Sequence, residues 1–250
     1  MTAFTLKLIA FLTMLIDHAT ACLVDVARIG NVSNTLYFTL RGIGRIAFPI
    51  FCFLIVEGAV HTKSKWRYAL RILIFAFISE IPFDVALFGS FIKLSAQNVD
   101  FTLLIGLGVV CYMMWAATWK GKLCYLGLAS TVLVVGAGAL LAKFLCTDYS
   151  MGGVVQISVM GILALPRDRF FKNASGKRWF RALVSIAAII ACCIITRNSF
   201  ELVALAAVPF LFAYNGNRGL KTPFTKWGGY LFYPVHLALL GLIFVVPKLI

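Results

Sequence analysis

Eight ionisable side chains fall inside apolar stretches that leave them no water: Asp17 and His18, Arg41 and Arg45, Glu57, Glu80 and Asp84, and His236. At membrane depth such a group costs several kcal/mol unless it is paired or hydrated, so each marks a polar cavity or a substrate path by default. Their types suit proton transfer and charge stabilisation. A histidine can act as base, a carboxylate can orient it, and an arginine can stabilise a developing oxyanion. The same set would also serve a proton relay in a transporter. Four more cations, Lys63, Lys65, Arg67 and Arg71, crowd the start of an apolar run.

Spacing assigns faces. Arg41 and Arg45 are i,i+4 and share one side of a helix, as do Glu80 and Asp84. Two cations facing two anions across a helix pair would satisfy both, and the plainest reading of that arrangement is a salt-bridge network that only joins helices. Against it, a purely structural network is costly in lipid compared with apolar packing. Asp17 and His18 are adjacent, so they point about 100° apart on a helix. Whatever orients the His18 ring must come from another helix, with Glu80 or Asp84 expected. At about 1.5 Å per residue, Asp17, Arg41, Arg45, Glu80 and Asp84 fall in one layer roughly 20–27 Å from the end nearer the N-terminus, with His236 about 10 Å from that end and Glu57 close to it. Pro49, Pro82 and Pro234 sit beside these residues, and each frees a backbone carbonyl and bends its helix.

The elements that must position these groups are membrane helices. The 250 residues are 62% hydrophobic and only 13% charged, where a soluble domain carries nearer a quarter charged residues. The apolar runs are long and continuous, unlike the alternating segments of a barrel. A window of about 20 residues yields nine spans: Phe4–Val24, Thr35–Val60, Trp66–Phe88, Val99–Thr118, Lys122–Phe144, Tyr149–Pro166, Trp179–Thr196, Phe200–Tyr214 and Gly229–Val246. The expectation is one integral membrane domain over residues 1–250, an all-α bundle. Most of the 23 Lys and Arg residues fall at Lys7 and in the loops after even-numbered spans. The positive-inside rule then puts the N-terminus in the cytoplasm and the C-terminus outside. The net charge of +14 is dispersed among these loops, so it excludes a nucleic-acid footprint. The seven cysteines show no CxxC or Cys/His spacing, and no metal is expected. Ala19-Thr20-Ala21-Cys22 resembles a lipoprotein cleavage site, but Asp17 and His18 interrupt the apolar core that a signal peptide needs. Gly42-x-Gly44 lacks the strand–turn–helix context of a phosphate loop. Gly106-x-Gly108 and Gly152-Gly153 suit close helix packing.

Several short stretches recur together, in this order, in a known family. Leu6–Ala10 leading to Met14-Leu15-Ile16-Asp17-His18, Gly44–Phe51 through Glu57-Gly58, Ser79-Glu80-Ile81-Pro82-Phe83-Asp84, Gln97-Asn98-Val99 through Phe101-Thr102-Leu103, Asp148-Tyr149, and Phe232-Tyr233-Pro234-Val235-His236-Leu237 resemble the TraX family. Cys111 to Lys143 and Pro166–Asn215 carry none of its motifs. The resemblance implies an acyltransferase of the bacterial inner membrane, multi-pass and embedded in lipid. It implies acetyl-CoA as donor substrate and a pilin-like N-terminus or another envelope molecule as acceptor. Lys7, eleven residues before His18, is also similar to the basic-x10-His opening of another class of membrane acyltransferases. On the acyl-transfer reading His18 is the base, oriented by Glu80 or Asp84. Arg41 or Arg45 stabilises the oxyanion, and Lys63, Lys65, Arg67 and Arg71 hold the donor's phosphates. His236 with Glu57 is the alternative centre, nearer the cytoplasm. The competing classes are a proton-coupled small-molecule transporter and a non-catalytic pilus or secretion assembly factor.

Overall fold

In the computed structural model the described residues are 1–29, 32–165, 174–220 and 222–249. Lys221, Ile250 and the basic positions Arg167, Arg169 and Lys172, on which part of the topology expectation rests, lie outside them. Among the described residues the chain is helical with no strand. The elements are α1 (Ala3–Thr20), α2 (Asn34–Arg45), α3 (Ala47–His61), α4 (Lys65–Phe88), α5 (Val99–Ala116), α6 (Leu123–Phe144), α7 (Ser150–Gly161), α8 (Ala174–Thr196), α9 (Val208–Phe212), α10 (Pro223–Leu240) and α11 (Val246–Leu249). A 3-10 segment, Ser199–Ala207, leads into α9, and π-helical turns extend α1 (Ala21–Val26) and α10 (Gly241–Val245).

Every expected span is helical over most of its length. Six helical stretches are long and apolar enough to cross a membrane: Ala3–Val26, Asn34–His61, Val99–Ala116, Leu123–Phe144, Ser175–Thr196 and Trp227–Leu249. Ser150–Ala164 and Ser199–Phe212 are apolar but shorter, about 23 and 26 Å long once the 3-10 rise of Ser199–Ala207 is counted, so to cross a hydrocarbon core of roughly 30 Å each needs flanking residues or a locally thinned bilayer. The second span is not one helix. It breaks at Ile46, between α2 and α3, three residues before Pro49. Proline there cannot donate to the Arg45 carbonyl and its ring crowds it.

Local chemistry fixes the helix starts. Thr2, Ser33 and Ser64 accept from the first-turn N–H groups of α1, α2 and α4. Thr222 and Thr225 form a capping box ahead of Pro223, so α10 begins six residues before the expected Gly229. Gly89 closes α4 in the left-handed region at φ 65°.

The bundle is apolar inside and out. Leu6, Ile50, Phe53, Leu107, Ile157, Ile189 and Leu237 are fully buried. Leu12, Phe77, Leu133, Phe144 and Ile194 are exposed on the outer faces, where only lipid makes such a surface acceptable. Residues 89–98, after α4, and residues 145–149, after α6, meet at the ends of their helices, where Asn98 and Thr147 are buried and the rest of both links is at least partly exposed. Gln97 N–H donates to Cys146 (2.9 Å) and Asp148 N–H to Gln97 (2.8 Å), while Thr102 Oγ1 donates to Thr147 Oγ1 at 2.9 Å. Non-helical backbone of this kind survives among apolar helices only when its polar groups are satisfied by protein.

Candidate functional site

His18 on α1 and His236 on α10 form a hydrogen-bonded pair. His18 Nδ1 and His236 Nε2 are 2.8 Å apart. The ring planes lie 3° apart with centroids at 5.1 Å. Two imidazoles with nitrogens that close have centroids that distant only when the rings meet edge to edge in one plane, which is the geometry of an in-line N–H···N bond. His236 Nδ1 lies 2.7 Å from the Phe232 carbonyl oxygen. Because a carbonyl can only accept, that nitrogen carries the proton in neutral His236.

This pair corrects two expectations. The partner that orients His18 is neither Glu80 nor Asp84 but His236. Nor do His236 and Glu57 form a separate centre. With α10 starting at Pro223, His236 lies thirteen residues into its helix and His18 fifteen into α1, both at about 20 Å.

The arginines also find other partners than the expected acids. Arg41 Nη1 donates to Asp17 Oδ1 at 2.7 Å and to the Asp17 carbonyl at 3.3 Å. Arg45 Nη1 bridges Glu201 Oε1 and the Tyr149 hydroxyl, each at 3.1 Å. The side chains of both pairs are largely buried, with Glu201 9% exposed. Gly44 makes the first pair possible, because a Cβ there would sit 2.2 Å from Asp17 Cβ. Tyr149 reaches Arg45 from a left-handed backbone position at φ 58° and stacks on Phe48 with centroids 3.7 Å apart. Non-glycine residues are held in that region only when the surroundings over-determine them.

Glu80 and Asp84 instead brace residues 89–98. Glu80 Oε2 accepts from Asn98 N–H (3.3 Å) and from its side-chain amide. Asn98 Nδ2 also reaches the Ala76 carbonyl at 2.7 Å. Asp84 Oδ2 accepts Lys93 N–H at 2.7 Å. So the five charges do not make one cluster enclosed by the first three spans; the site also draws on Tyr149, Glu201 and His236. Glu57 accepts from the Tyr214 hydroxyl at 3.2 Å and pairs with His61 at 3.4 Å, near the end of α3.

A cavity of about 1020 Å³ opens among the first turns of α1, α4 and α10 and the last turn of α3, at the upper end of the size range for ligand pockets. Lys7, Lys63, Arg71 and Arg218 surround its mouth together with Glu57 and His61. Arg71 Nε donates to Tyr230 at 3.3 Å, and Arg218 Nη2 donates to the His61 carbonyl at 3.0 Å. Lys65 and Arg67, expected beside Lys63 and Arg71, are exposed and do not line the cavity. Phe11, Phe51, Phe75, Leu103 and Asp100 also line it, and Met14 on α1 and Tyr233 on α10 are the lining residues furthest along their helices from the basic end. Met14 precedes His18 by four residues and Tyr233 precedes His236 by three, so the cavity reaches to about one helical turn, roughly 5 Å, from the imidazole pair. The Tyr233 ring lies 5.9 Å from the His18 ring and 5.8 Å from that of His236.

Glu201, Asp100 and Arg218 complete these clusters without having stood out as site residues in the sequence, and Lys7, noted there for its charge and its spacing to His18, joins them at the cavity. Glu201 and Asp100 carry the signal that marked the others, an acid inside an apolar stretch, and the same rule would have found them. Arg218 carries none, because only the fold brings its loop to the ends of α1 and α3.

Buried ion pairs, a histidine pair and a basic-mouthed cavity inside an apolar helical bundle define a multi-pass membrane protein with a polar centre. The chain belongs to the TraX family, whose description, TraX protein, matches residues 3–244. It is 25% identical over 266 residues, covering 96% of this chain and 94% of the relative, to a probable fimbrial assembly protein, FimC of serogroup H1, from Dichelobacter nodosus. No solved structure matches.

Proposed function

We propose that the chain is a membrane-embedded acyltransferase that takes an acetyl group from acetyl-CoA and passes it to an amine or hydroxyl at the membrane. The observation that carries this is the cavity. Its mouth has four cations for phosphates, and its walls are apolar. Along α1 it runs from Ala3 to Met14, about 16 Å, which suits a narrow chain bearing a thioester. The floor lies one turn from the only two interior histidines. That removes the need for the donor to thread between packed helices to reach a site at about 20 Å depth. Acyl transfer needs a base for the acceptor proton and positive charge near the thioester oxygen. The imidazole pair supplies the first, and α2, packed against α1, brings Arg41 to Asp17 beside His18, with Arg45 one turn further on.

On this reading the protein sits in the bacterial plasma membrane with nine passes, N-terminus cytoplasmic and C-terminus outside, so that the cavity mouth faces the cytoplasmic donor. The acceptor is a pilin-like N-terminus or another envelope molecule, and no metal takes part.

Calorimetry of the purified protein with acetyl-CoA and with CoA tests it. Saturable binding that weakens with salt, and with Lys7→Ala, Arg71→Ala or Arg218→Ala, is expected. Lys65→Ala and Arg67→Ala should leave affinity unchanged. Absence of any binding at millimolar donor overturns the reading. The likeness to the probable fimbrial assembly protein of Dichelobacter nodosus favours a second reading, a non-catalytic assembly factor. That role predicts that pilus assembly survives replacement of His18. A proton-coupled transporter would instead move solute with no CoA binding.

A further inference from the structure

His18 and His236 are both held by geometry that fixes where each proton sits, and the consequence is a division of labour. The Phe232 carbonyl oxygen, 2.7 Å from His236 Nδ1, cannot donate, so that nitrogen is N–H. In the neutral ring His236 Nε2 is then a lone pair. It faces His18 Nδ1 at 2.8 Å, in the common plane of the two rings. His18 Nδ1 must therefore be the donor, which leaves His18 Nε2 deprotonated. Among the described residues His18 Nε2 has no hydrogen-bond partner, and the residue is only partly buried, with that nitrogen not sealed off by protein. It is thus an accessible lone pair.

We infer that His18 Nε2 is the proton-accepting atom of the transfer reaction and that His236 is its positioning residue, a neutral imidazole doing the work usually given to a carboxylate. This deepens the acyl-transfer reading and rests on it. In the forward step the acceptor's nitrogen or oxygen forms a bond to the thioester carbonyl carbon. Its proton moves to His18 Nε2. The carbon–sulfur bond then breaks, and the same proton passes from His18 to the departing sulfur, giving the free thiol. His236 keeps its proton throughout and accepts from His18 Nδ1 in every state. A neutral orienter has a physical reason here. A buried carboxylate beside His18 would add an ion where Arg41 and Arg45 are already paired with Asp17 and Glu201, whereas an imidazole anchored to a backbone carbonyl adds none. Phe232, stacked on Phe11 at 4.4 Å and on His236 at 4.9 Å, keeps the second ring in plane.

Nitrogen-15 NMR of the histidine-labelled protein reads this without any substrate. The chain has three histidines, and His61→Gln removes the one outside the pair. Both remaining rings are expected as the Nδ1–H tautomer with unprotonated Nε2, and His236→Ala should let His18 lose that preference. His18 found with its proton on Nε2, or unaffected by His236→Ala, overturns the assignment. For turnover, His18→Ala should abolish transfer. His236→Ala should lower kcat roughly 100-fold with donor KM changed less than about twofold, since one oriented base is worth of that order. His236→Gln, whose amide oxygen can accept from His18 Nδ1, should recover at least about a tenth of the wild-type kcat, and its thermal melt separates misfolding from misorientation. If Gln rescues no better than Ala in an equally stable protein, His236 is not a positioning residue. If the tautomers are as stated but the wild type transfers no acetyl group, it is the acyltransferase reading that fails.

Discussion

At the scale of single residues, the buried charges behave as pairs whose members cannot be removed separately. Arg45 is held by Glu201 and Tyr149, and Glu201 is 9% exposed. Removing one partner strands the other without water, a loss of about 3–5 kcal/mol, whereas replacing both by apolar groups is close to neutral. Glu201→Leu alone should therefore lower thermal stability much more than Arg45→Met with Glu201→Leu, and a thermal-denaturation double-mutant cycle measures the difference. A double variant whose loss equals the sum of the two single losses would show that the pair carries no coupling. Gly44 makes a sharper case. A methyl there meets Asp17 Cβ at 2.2 Å, and that atom is anchored in α1 rather than at the end of a flexible chain. Gly44→Ala should cost about 1–3 kcal/mol and break the Asp17–Arg41 bond, read as a lowered melting temperature. Although Glu201, which carries the same signal, was missed, Asp17, Arg41 and Arg45 were legible from sequence because a charge in an apolar run is conspicuous. Their partners were not. Spacing along one helix says which residues share a face, but not which helix that face meets. Arg41 and Arg45 do rise from one helix, yet they serve different partners, Asp17 on α1 and Glu201 some 150 residues onward.

At the scale of elements, hydropathy located the helices and misjudged what happens at their ends. Periodicity and length were enough for α1, α5, α6 and α8. The break at Ile46 needed the steric effect of Pro49 to be carried four residues back. The early start of α10 needed the Thr222–Pro223–Thr225 cap to be weighed against the charge of Lys226 and its neighbours. That six-residue shift moved His236 from about 10 Å to about 20 Å depth and turned two candidate centres into one. The 145–149 link is strained where it delivers Tyr149, with Cys146, Tyr149 and Ser150 all at positive φ. Ser150 opens α7 at φ 43°, a region that glycine enters without the Cβ penalty. Ser150→Gly should thus raise stability by about 0.5–1 kcal/mol, seen as a higher melting temperature, while Tyr149→Phe keeps the stacking on Phe48 and loses the bond to Arg45. A destabilised Ser150→Gly would mean that this turn is set by the serine side chain rather than by the backbone.

At the scale of the whole molecule, the basic residues and the cavity mouth lie at the same end of the bundle. Lys7 begins α1, Lys63 follows α3, Arg71 is in the second turn of α4, and Arg218 precedes α10. The positive-inside rule reads those same positions as cytoplasmic. On the acyl-transfer reading, one charge pattern would serve both orientation in the membrane and recognition of an anion. That coincidence makes topology a test of function as well as of fold. Ser64 and Ser175 should be on the cytoplasmic side, and Ser33 and Ser90 on the opposite side. In a background freed of its seven cysteines, single cysteines at these four positions should divide two and two with a membrane-impermeant thiol reagent. If Ser64 labels from outside, the basic mouth faces away from the only compartment that holds CoA. The donor would then have to enter between Ser33 and Ser90, where the structure shows ion pairs and braced loops rather than a basic opening.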